Sequence, residues 1–435
     1  MIPLAEAQRF VLHHIEPSSP GACALDDAVG LVIGADVVAR EPVPPFANSQ
    51  MDGYALRAVD TIGAPVTLEV VGVVMAGQTY DGVLQAGHAV RIMTGAPLPD
   101  GADAVCMVER AEADKHGRRV TIGEELAPET FVRRPGRDVA VGDAIARAGM
   151  VLTPARLGML ANQGFDEVQV YPRPRVGVLS TGDELFRGDG PLPTGKIRDA
   201  NRHTLLAQAT RDGFDTTDLG AVPDDESALI DTLTRAAEQC DAILTSGGVS
   251  VGDVDLVRVV LEKLCGTTAR WMQVAIRPAK PFAFGLLSGT GPPVFGLPGN
   301  PVSALVSYEL FARPALRRMG GHRDLHRPIL TARAEHDLPR QPDEKLHLLR
   351  AVVSVGAAGE LSVRTAGGQE SHQLHAMADA NALILLADGS GAGEGDDLPV
   401  LVIDPDGLGA ASGGGPARVQ EEQRSRAGDG GEEGS

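Results

Sequence analysis

The stretch CDAILTSGGVSVGDVD, residues 240–255, predicts the fold of the largest segment of this chain. Its apolar run Ala242-Ile243-Leu244 is typical of a buried strand, and it leads directly into Ser246-Gly247-Gly248 and a segment able to start a helix. Paired glycines permit positive φ and bring the backbone close to a ligand, while free amides at a helix N-terminus attract anions. The stretch therefore predicts a ligand-binding turn between a strand and a helix.

Two carboxylates, Asp253 and Asp255, follow this turn within a few residues. If further carboxylates converge on the same crevice, the repulsion between two of them about 4 Å apart is roughly 4 kcal/mol at an effective dielectric of about 20. A divalent cation or a basic side chain must then offset that repulsion. The sequence predicts an anionic ligand held beside a metal ion.

Strand and helix patterns alternate on both sides of this turn. The patterns predict strands at 176–179, 217–222, 241–245, 271–276 and 293–297, and helices near 201–212, 225–240, 253–264 and 302–318. Such alternation is typical of a doubly wound, mostly parallel α/β sheet with helices on both faces. Ligands of these folds bind beyond the carboxyl ends of the strands.

Polar or glycine-rich segments follow all five predicted strands. They are Ser180-Thr181-Gly182-Asp183-Glu184, Asp224, Ser246 to Asp255, Arg277 with Lys280, and Leu297-Pro298-Gly299-Asn300-Pro301. Any one of them could be a structural turn, and Asp224 could simply cap the helix at 225–240. Five such segments at one edge of a sheet predict a functional site instead.

Composition and charge exclude several classes of protein. At 435 residues the chain suits about three domains, each large enough to bury a core. The formal net charge of −19 and the aromatic content of 3% argue against nucleic-acid binding, which needs a basic surface and often stacking rings. No apolar run reaches about 18 residues, so no membrane span is predicted. The N-terminal residues MIPLAEAQRF do not resemble a signal peptide.

The cysteines indicate the compartment. Cys23, Cys106, Cys240 and Cys265 lie far apart and form no CxxC pair. We expect buried thiols in a protein of the reducing cytoplasm.

The rest of the chain has other patterns. Residues 4–15 predict a helix with one apolar face, and a proline-rich run at 40–57 predicts an extended connection. Period-two patterns at 65–123 and 328–403 predict two β domains, the second a barrel or sandwich. The residues after Asp404 are rich in Gly, Ala, Ser and charge, which predicts a disordered tail.

Three other motifs suggest different chemistry. Gly248-Val249-Ser250-Val251-Gly252 matches the G-x-S-x-G nucleophile elbow of hydrolases, but Asp253 and Asp255 follow it closely and no HGGG-type oxyanion segment is visible. The run from Gly190 to Lys196 nearly spells a Walker A loop, but Ile197 replaces the hydroxyl that binds magnesium. His372 and His375 lack a third metal ligand at a recognisable spacing.

Seven motifs together resemble the molybdopterin molybdenumtransferase family, whose animal relative is the C-terminal part of gephyrin. They are PPFANSQMDGYA, RIMTGAPLPDGADAV, STGDEL, GKIRDANRHTLL, SGGVSVGDVDLV, RPAKPFAFG and GLPGNPVSA. They occur in the order of the family, and the resemblance covers roughly residues 4–403.

The resemblance implies a molecule of four structural domains. They are an elongated N-terminal domain from 1–40 and 135–172, an inserted β domain at 41–134, a doubly wound molybdopterin-binding α/β domain at 173–322 and a C-terminal β domain at 323–404, followed by a disordered tail at 405–435. It also implies a homodimer with its active site between subunits.

The resemblance further implies a reaction. The enzyme takes adenylylated molybdopterin and molybdate, inserts molybdenum into the dithiolene and releases AMP, with Mg²⁺ as the cation. Further expected partners are the molybdopterin adenylyltransferase and apo-molybdoenzymes. Neither nucleic acid nor a membrane is expected as a partner.

Site residues are carried over from the family motifs. Those tied to catalysis are Asp52, Thr94, Asp138, Glu184 and Lys280. Those expected to bind substrate are Ser180, Thr181, Gly182, Asp183, Ser246, Gly247, Gly248, Ser250, Arg277, Pro298, Pro301, Arg350 and Ser371. Asp224 and Asp255 are expected to hold the metal. The residue types suit this chemistry, because Arg and Lys bind oxyanions and carboxylates bind Mg²⁺.

Three positions depart from the family pattern. Arg277 stands where many relatives have lysine, Ala47 replaces a common aspartate, and Gln50 replaces a small residue. A planar guanidinium does not simply replace a compact ammonium. Two other functions stay open, a molybdopterin-binding or scaffold protein without turnover and the adenylylating step itself; the added β domains and the Asp52 motif favour insertion over adenylylation.

Overall fold

The computed structural model describes residues 1–186, 188–248, 256–356 and 358–408. Its helices in these ranges are α1 (Leu4–His13), α2 (Pro154–Asn162), α3 (Asn201–Arg211), α4 (Glu226–Ala237), α5 (Leu256–Cys265), α6 (Pro301–Ser307), α7 (Arg313–Met319) and α8 (Leu374–Ala378). A π-helical turn, Tyr308–Ala312, joins α6 to α7. Within the same ranges, no helix has both the length and the apolar character needed to cross a membrane.

The N-terminal part contains thirteen short strands. They are β1 (Gly21–Ala24), β2 (Val32–Ile33), β3 (Val37–Val38), β4 (Asn48–Ser49), β5 (Gly53–Leu56), β6 (Val66–Val74), β7 (His88–Ile92), β8 (Ala104–Met107), β9 (Ala111–Ala113), β10 (Arg119–Ile122), β11 (Val132–Arg133), β12 (Ala144–Ala146) and β13 (Glu167–Tyr171). Strand β13 pairs with both β1 and β2, although residues 41–134 lie between them in the chain. A six-stranded sheet within that interval has the order β8-β5-β7-β6-β10-β9.

The central and C-terminal parts contain the other strands. They are β14 (Arg175–Thr181), β15 (Leu185–Phe186), β16 (Ile197–Arg198), β17 (Asp215–Val222), β18 (Ala242–Ser246), β19 (Arg270–Gln273), β20 (Ile276–Arg277), β21 (Pro281–Leu286), β22 (Pro293–Leu297), β23 (Ile329–Ala334), β24 (Leu338–Pro339), β25 (Leu346–Val355), β26 (Leu361–Thr365), β27 (Ala382–Leu386), β28 (Gly391–Ala392) and β29 (Asp397–Val402).

The central sheet confirms the predicted doubly wound α/β class. Its order is β17-β14-β18-β22-β21-β19, and β17, β14, β18 and β22 are parallel. The sequence patterns missed β21, which runs antiparallel to both neighbours. Strand β21 follows β19 without an intervening helix, so the alternation of strand and helix did not reveal it.

One hydrophobic core joins the central sheet to the C-terminal strands. Buried side chains of β14 and β18, such as Val178 and Leu244, share a cluster with Leu348 of β25 and Leu401 of β29. Helix α1 contributes Ala7 and other buried residues to the same cluster. The C-terminal strands therefore hold a fixed position against the sheet, because a shared core resists sliding.

The C-terminal strands form a closed barrel, which is one of the two predicted architectures, a barrel or a sandwich. The order β25-β26-β23-β29-β27 closes on itself through the pairing of β27 with β25. Strand β20, from the central segment, adds to this sheet parallel to β25. This pairing brings the segment after Arg277 against the barrel.

A buried group of charged side chains ties the entry of the barrel to the central segment. Arg327 donates to Asp212 at the end of α3 (2.7 Å) and to Glu309 of the π-helical turn (2.9 Å). Arg313 lies 3.4 Å from Asp212 and 3.6 Å from Glu309. All four side chains are less than a tenth exposed. The charges of the two acids and the two arginines thus compensate one another in a part of the fold that water hardly reaches.

Candidate active site

The loops that follow β14 and β17 are bonded to each other. The Asp224 carboxylate accepts from the Thr181 hydroxyl (2.8 Å) and from the Asp183 amide (3.2 Å). In return, the Asp183 carboxylate accepts from the Asp224 amide (3.2 Å). Asp183, Glu184 and Asp224 are all exposed at this edge of the sheet. Asp183 and Asp224 therefore lie next to each other at this edge, whereas Asp253 and Asp255 lie outside the described residues.

The alternative role considered for Asp224, capping the helix near 225–240, is wrong. The N-cap of α4 is Asp225, whose carboxylate accepts from the Ala228 amide at 2.8 Å. Asp224 lies one residue too early and points its carboxylate at the loop after β14. It thus stays available to a ligand at the site.

The glycines after β18 are required by their conformation and surroundings. Gly247 has φ +101° and Gly248 has φ +63°. A Cβ on Gly247 would lie 2.3 Å from the Thr181 carbonyl oxygen, which belongs to the end of β14. The backbone at this turn therefore approaches its neighbour more closely than any side chain would permit.

We expect Gly247→Ala to lower the free energy of unfolding by about 3 kcal/mol, because it combines a positive φ with a backbone collision. Gly213→Ala is the matched control, since Gly213 has φ +88° and nothing within 4 Å of an added Cβ. The control is expected to lose only about 1–2 kcal/mol, the conformational part. Chemical denaturation measures both values, and equal losses in the two variants would contradict the steric argument.

Asn201 interlocks the loops that follow β18 and β22. Its side-chain amide donates to the Ser246 hydroxyl (2.8 Å) and to the Gly299 carbonyl (2.7 Å). The Ser246 hydroxyl in turn reaches the Pro298 carbonyl at 3.4 Å. Sequence reasoning assigned no role to Asn201. The only signal was its place within the motif GKIRDANRHTLL.

Asp199 is a second residue whose role was missed. Its carboxylate accepts from the Ser180 hydroxyl (2.5 Å) and from Arg202 (2.9 Å). Ser180 is thereby oriented at the end of β14. A small pocket of about 80 Å³ lies between these loops, lined among others by Thr181, Glu184 and Gly247.

A larger cavity of about 450 Å³ lies beside this pocket, against the barrel. Its walls carry Arg277, Lys280 and Asn300 from the central segment and Ser371 from the C-terminal segment. The Asn300 side chain donates to the Ser371 hydroxyl at 2.9 Å, which joins the two walls. Among the described residues, we find no acceptor for the Arg277 guanidinium or the Lys280 ammonium. Two cations without a hydrogen-bonded or ion-paired acceptor thus face this cavity, whose lining also includes Glu370, paired with His372 at 3.5 Å.

Pro298 and Pro301 flank the connection between the two pockets. Pro301 occupies the first turn of α6, where its missing amide costs no hydrogen bond. Pro298 is buried behind the loop, and Gly299 between them is exposed. The prolines are placed to stiffen this loop.

Arg350 is placed differently from Arg277 and Lys280. The residue is 0% exposed and lines a separate cavity of about 620 Å³ that shares Arg277 and Glu370 with the first. One nitrogen donates to the carbonyls of Gly368 (2.7 Å) and Glu370 (3.2 Å). Nε and Nη1 have no hydrogen-bond partner among the described residues. Burial lowers the pKa of Arg350 to about 10.

Asp52 and Thr94 lie together on the inserted sheet. The Asp52 carboxylate accepts from the Thr94 amide (2.7 Å) and from the Thr94 hydroxyl (2.8 Å). These bonds lower the pKa of Asp52, with the backbone bond contributing most. Asp138 is exposed on the neighbouring N-terminal segment. The described residues that line the cavities above all lie at or beyond Ser180, so one protomer does not bring these three residues to them.

Thr94→Val is expected to raise the pKa of Asp52 but to leave it below the ordinary value, because the amide bond remains. A carboxyl with a depressed pKa favours folding above its unfolded-state pKa, and this contribution disappears as the pH falls through the folded-state pKa. Carboxyl carbon chemical shifts of Asp52, followed by NMR from neutral to acid pH, measure the change. An unchanged titration curve in the variant would show that the hydroxyl bond has no influence.

Three family models match successive parts of the chain. Residues 2–164 match the MoeA N-terminal region (domain I and II), residues 177–318 match a probable molybdopterin binding domain, and residues 331–403 match the MoeA C-terminal region (domain IV). The molybdopterin molybdenumtransferase of Haemophilus influenzae is 37% identical over 388 residues, which cover 89% of this chain and 94% of that protein. The chain belongs to the molybdopterin molybdenumtransferase family.

Other members of the family agree with this assignment. Molybdopterin molybdenumtransferase 2 of Mycobacterium tuberculosis is 39% identical over 393 residues, 88% of this chain and 95% of that protein. The crystal structure of the molybdopterin biosynthesis moeA protein from Pyrococcus horikoshii OT3 has a TM-score of 0.77 at 27% identity, covering 92% of this chain and 100% of that one. The resemblance inferred from seven motifs is thus confirmed.

Two site residues expected from the family lie outside the described residues. They are Ser250 and Asp255, both within 249–255. The other expected residues have the positions given above. Assigning a catalytic or binding role to each of them remains a prediction.

The carboxylates at the sheet edge suit the cation that this family implies. Asp183 and Asp224 each accept a hydrogen bond from the other's backbone amide, so both carboxylates lie where the first two strand-end loops meet. Mg²⁺ is commonly held by one or two carboxylates together with substrate phosphates, so a complete protein cage is unnecessary. Within the described ranges, no group of three or more His, Cys, Asp or Glu side chains forms such a cage.

The departures from the family pattern at Ala47 and Gln50 are accommodated by the fold. The Gln50 side chain donates to the Val132 carbonyl at 3.1 Å, and the Ala47 carbonyl accepts from the Leu98 amide at 2.8 Å. Both contacts stay within the inserted sheet and its neighbours. Among the described residues, the Asp52 carboxylate has its hydrogen bonds with Thr94 and none with Ala47 or Gln50.

Proposed function

We propose that this chain inserts molybdenum from molybdate into adenylylated molybdopterin and releases AMP. It is a transferase of molybdenum cofactor biosynthesis by its family. The observation that carries the finer proposal is the cavity in which Arg277 and Lys280 lack protein acceptors and face Ser371. An oxyanion such as molybdate matches two cations and a hydroxyl, because charge-assisted hydrogen bonds to oxygen are the strong ones.

The two pockets divide the substrates between them. Arg277 and Lys280 hold the molybdate oxygens, and Ser371, fixed by Asn300, donates or accepts a further bond. The turn supplies the Gly248 amide for the phosphate-bearing substrate, since the Gly247 amide donates to the Leu297 carbonyl (3.3 Å). Ser180 and Thr181 lie at the neighbouring strand end. Since Gly299 to Pro301 connect the pockets, both substrates meet at this loop.

Arg350 is buried, so it supports anion binding through its charge rather than through direct contact with the anion. Its Nε and Nη1 atoms are buried without a hydrogen-bond partner, and the residue lines the adjoining cavity, whose wall also includes Arg277. A buried guanidinium without a counter-ion raises the positive potential felt by an anion nearby, because low dielectric screens it weakly. This charge favours molybdate over neutral competitors.

The metal proposed for this site is Mg²⁺, held by Asp224 with Asp255 and assisted by Asp183. When bound, it would neutralise phosphate charge and stabilise AMP as the leaving group. Glu184, exposed beside Gly182, is placed to orient a polar group of the substrate at the same edge. The Thr181 hydroxyl orients Asp224 for this task.

A homodimer completes the proposed site. Asp52, Thr94 and Asp138 are distant in the chain from the residues that line the cavities, and the Asp52 carboxylate is held ready by Thr94. We propose that the partner protomer supplies these three residues above the crevice. The proposed location is the cytoplasm, which suits the four unpaired thiols of the structure.

Single-turnover incubation tests the proposed function. Purified protein is mixed with adenylylated molybdopterin, magnesium and molybdate, and AMP release is followed together with reactivation of a cofactor-free molybdoenzyme. Molybdate-dependent release with reactivation is the expected result. Tight substrate binding with neither signal would instead indicate a binding or scaffold protein. The departures from the family pattern at Ala47, Gln50 and Arg277 would then be the first candidates for the loss of turnover.

A further inference from the structure

A third cation lines the cavity of Arg277 and Lys280. Lys345 lies on its C-terminal wall, one residue before β25. The pairing of β20 with β25 sets this position, with Ile276 opposite Leu346 and the Leu346 amide donating to the Ala275 carbonyl at 3.0 Å. Lys345 therefore lies on the barrel side of the β20–β25 pairing, opposite the segment that carries Arg277 and Lys280.

The Lys345 ammonium has one hydrogen-bond acceptor among the described residues. It donates to one oxygen of Asp343 at 2.8 Å, and its side chain is 22% exposed. An ammonium has three donors, so two remain for a ligand. Lys345 lines this cavity, whereas Asp343 lines the adjoining cavity of about 620 Å³.

The counter-ion of Lys345 is shared with other groups. The Asp343 carboxylate also accepts from Arg340 (2.7 Å) and lies 3.1 Å from Nε2 of His347. Lys345 and His347 hold the pKa of Asp343 far below its ordinary value. One carboxylate thus serves several donors and neutralises Lys345 incompletely.

We propose that Lys345 is a third anion-binding residue of this cavity, and that Asp343 limits its strength by pairing with it. The proposal rests on the proposed function, since it takes the oxyanion of that reaction as the ligand. In the free protein the ammonium contacts Asp343; with molybdate in the cavity, the remaining donors contact an oxygen of the anion. The barrel would then contribute a charge as well as the Ser371 hydroxyl.

Two substitutions are expected to act in opposite directions. Lys345→Met removes a charge-assisted bond and should raise the Kd for molybdate about tenfold. Asp343→Asn keeps the shape of the side chain but removes its charge, and should lower the Kd about threefold. The fold should survive Asp343→Asn, because Arg340 also donates to Asp388 (2.9 Å) and to the carbonyls of Leu386 and Ala387.

Isothermal titration of the full chain with molybdate, without molybdopterin and at fixed ionic strength, tests the proposal. Lys345→Arg should restore most of the affinity that Lys345→Met loses. Lys263→Met is the matched control, because Lys263 is also ion-paired, with Glu226, but is exposed on α5. Its Kd should equal that of the wild type, and circular dichroism checks that every variant is folded.

Three outcomes would overturn the proposal. If Lys345→Met binds molybdate as the wild type does, Lys345 is a structural ion pair and only this inference fails. If Asp343→Asn weakens binding as much as Lys345→Met, the pair acts by holding the cavity wall rather than by charge. If the wild type itself binds no molybdate, the cavity assignment in the proposed function fails together with the role of Lys345.

Discussion

Lys280→Ala is expected to lower the single-turnover rate of molybdate-dependent AMP release by at least about 100-fold. A preorganised charge directed at a reacting oxyanion is commonly worth about 10²–10³ in rate. Lys280 has no protein acceptor among the described residues, so its loss leaves no buried acid unpaired and should hardly affect stability. Rapid-quench measurement of AMP at saturating adenylylated molybdopterin gives the rate.

The matched control for this prediction is Lys263→Ala. Lys263 carries the same charge and is 54% exposed on α5, away from the residues that line the cavity. Its rate should equal that of the wild type. A Lys280→Ala rate within a factor of about three of the wild type would remove Lys280 from the site, since one lost charge-assisted bond alone predicts more.

Arg327→Leu is expected to lower the free energy of unfolding by about 3–5 kcal/mol. Removing one member of a buried ion network leaves its partners charged in a poorly hydrated place. Arg327 donates to both Asp212 and Glu309; without it, Arg313, at 3.4 and 3.6 Å, and the Tyr308 hydroxyl, 2.9 Å from Asp212, would remain to offset the two acids. The variant should unfold at a lower denaturant midpoint.

Urea denaturation followed by circular dichroism measures this loss. Lys263→Leu serves as the comparison, because its exposed pair with Glu226 should contribute only about 0–1 kcal/mol. Double substitution to Arg327→Leu and Glu309→Leu should recover part of the stability, since one uncompensated acid is then removed. Equal midpoints for Arg327→Leu and Lys263→Leu would mean that water screens the network.

The sequence predicted the central fold well, with errors that have clear causes. Apolar runs and glycine stops identified the parallel strands, because each crosses the core and ends at a turn. The run Pro281–Leu286 escaped notice because no helix separates it from β19. Asp224 and Asp225 are adjacent carboxylates, and only the path of the backbone decides which of them caps α4.

The sequence named candidate site residues but not their arrangement. Strand-end motifs named Ser180, Asp224 and Ser246, because parallel strands deliver their ends to one edge. The predicted strand 271–276 was wrong as a single element: it divides into β19 of the central sheet and β20, which carries Arg277 into the barrel sheet. The role of Asn201 depends on two loops meeting at its side chain, which no local pattern encodes. Arg350 has a sequence context like that of any strand arginine, and its complete burial follows from packing alone.

By itself, the sequence determined the fold class, the family and most of the candidate residues, since these depend on local periodicity and on motifs within a few residues. Only the tertiary structure decided which residues share a cavity. Lys345 and Lys280 line one cavity because β20 joins the barrel beside β25, a pairing between segments far apart in the chain. Electrostatic interactions depend on distance in space, so charge partnerships such as Lys345 with Asp343, or Arg327 with Asp212, emerge only when the chain is folded.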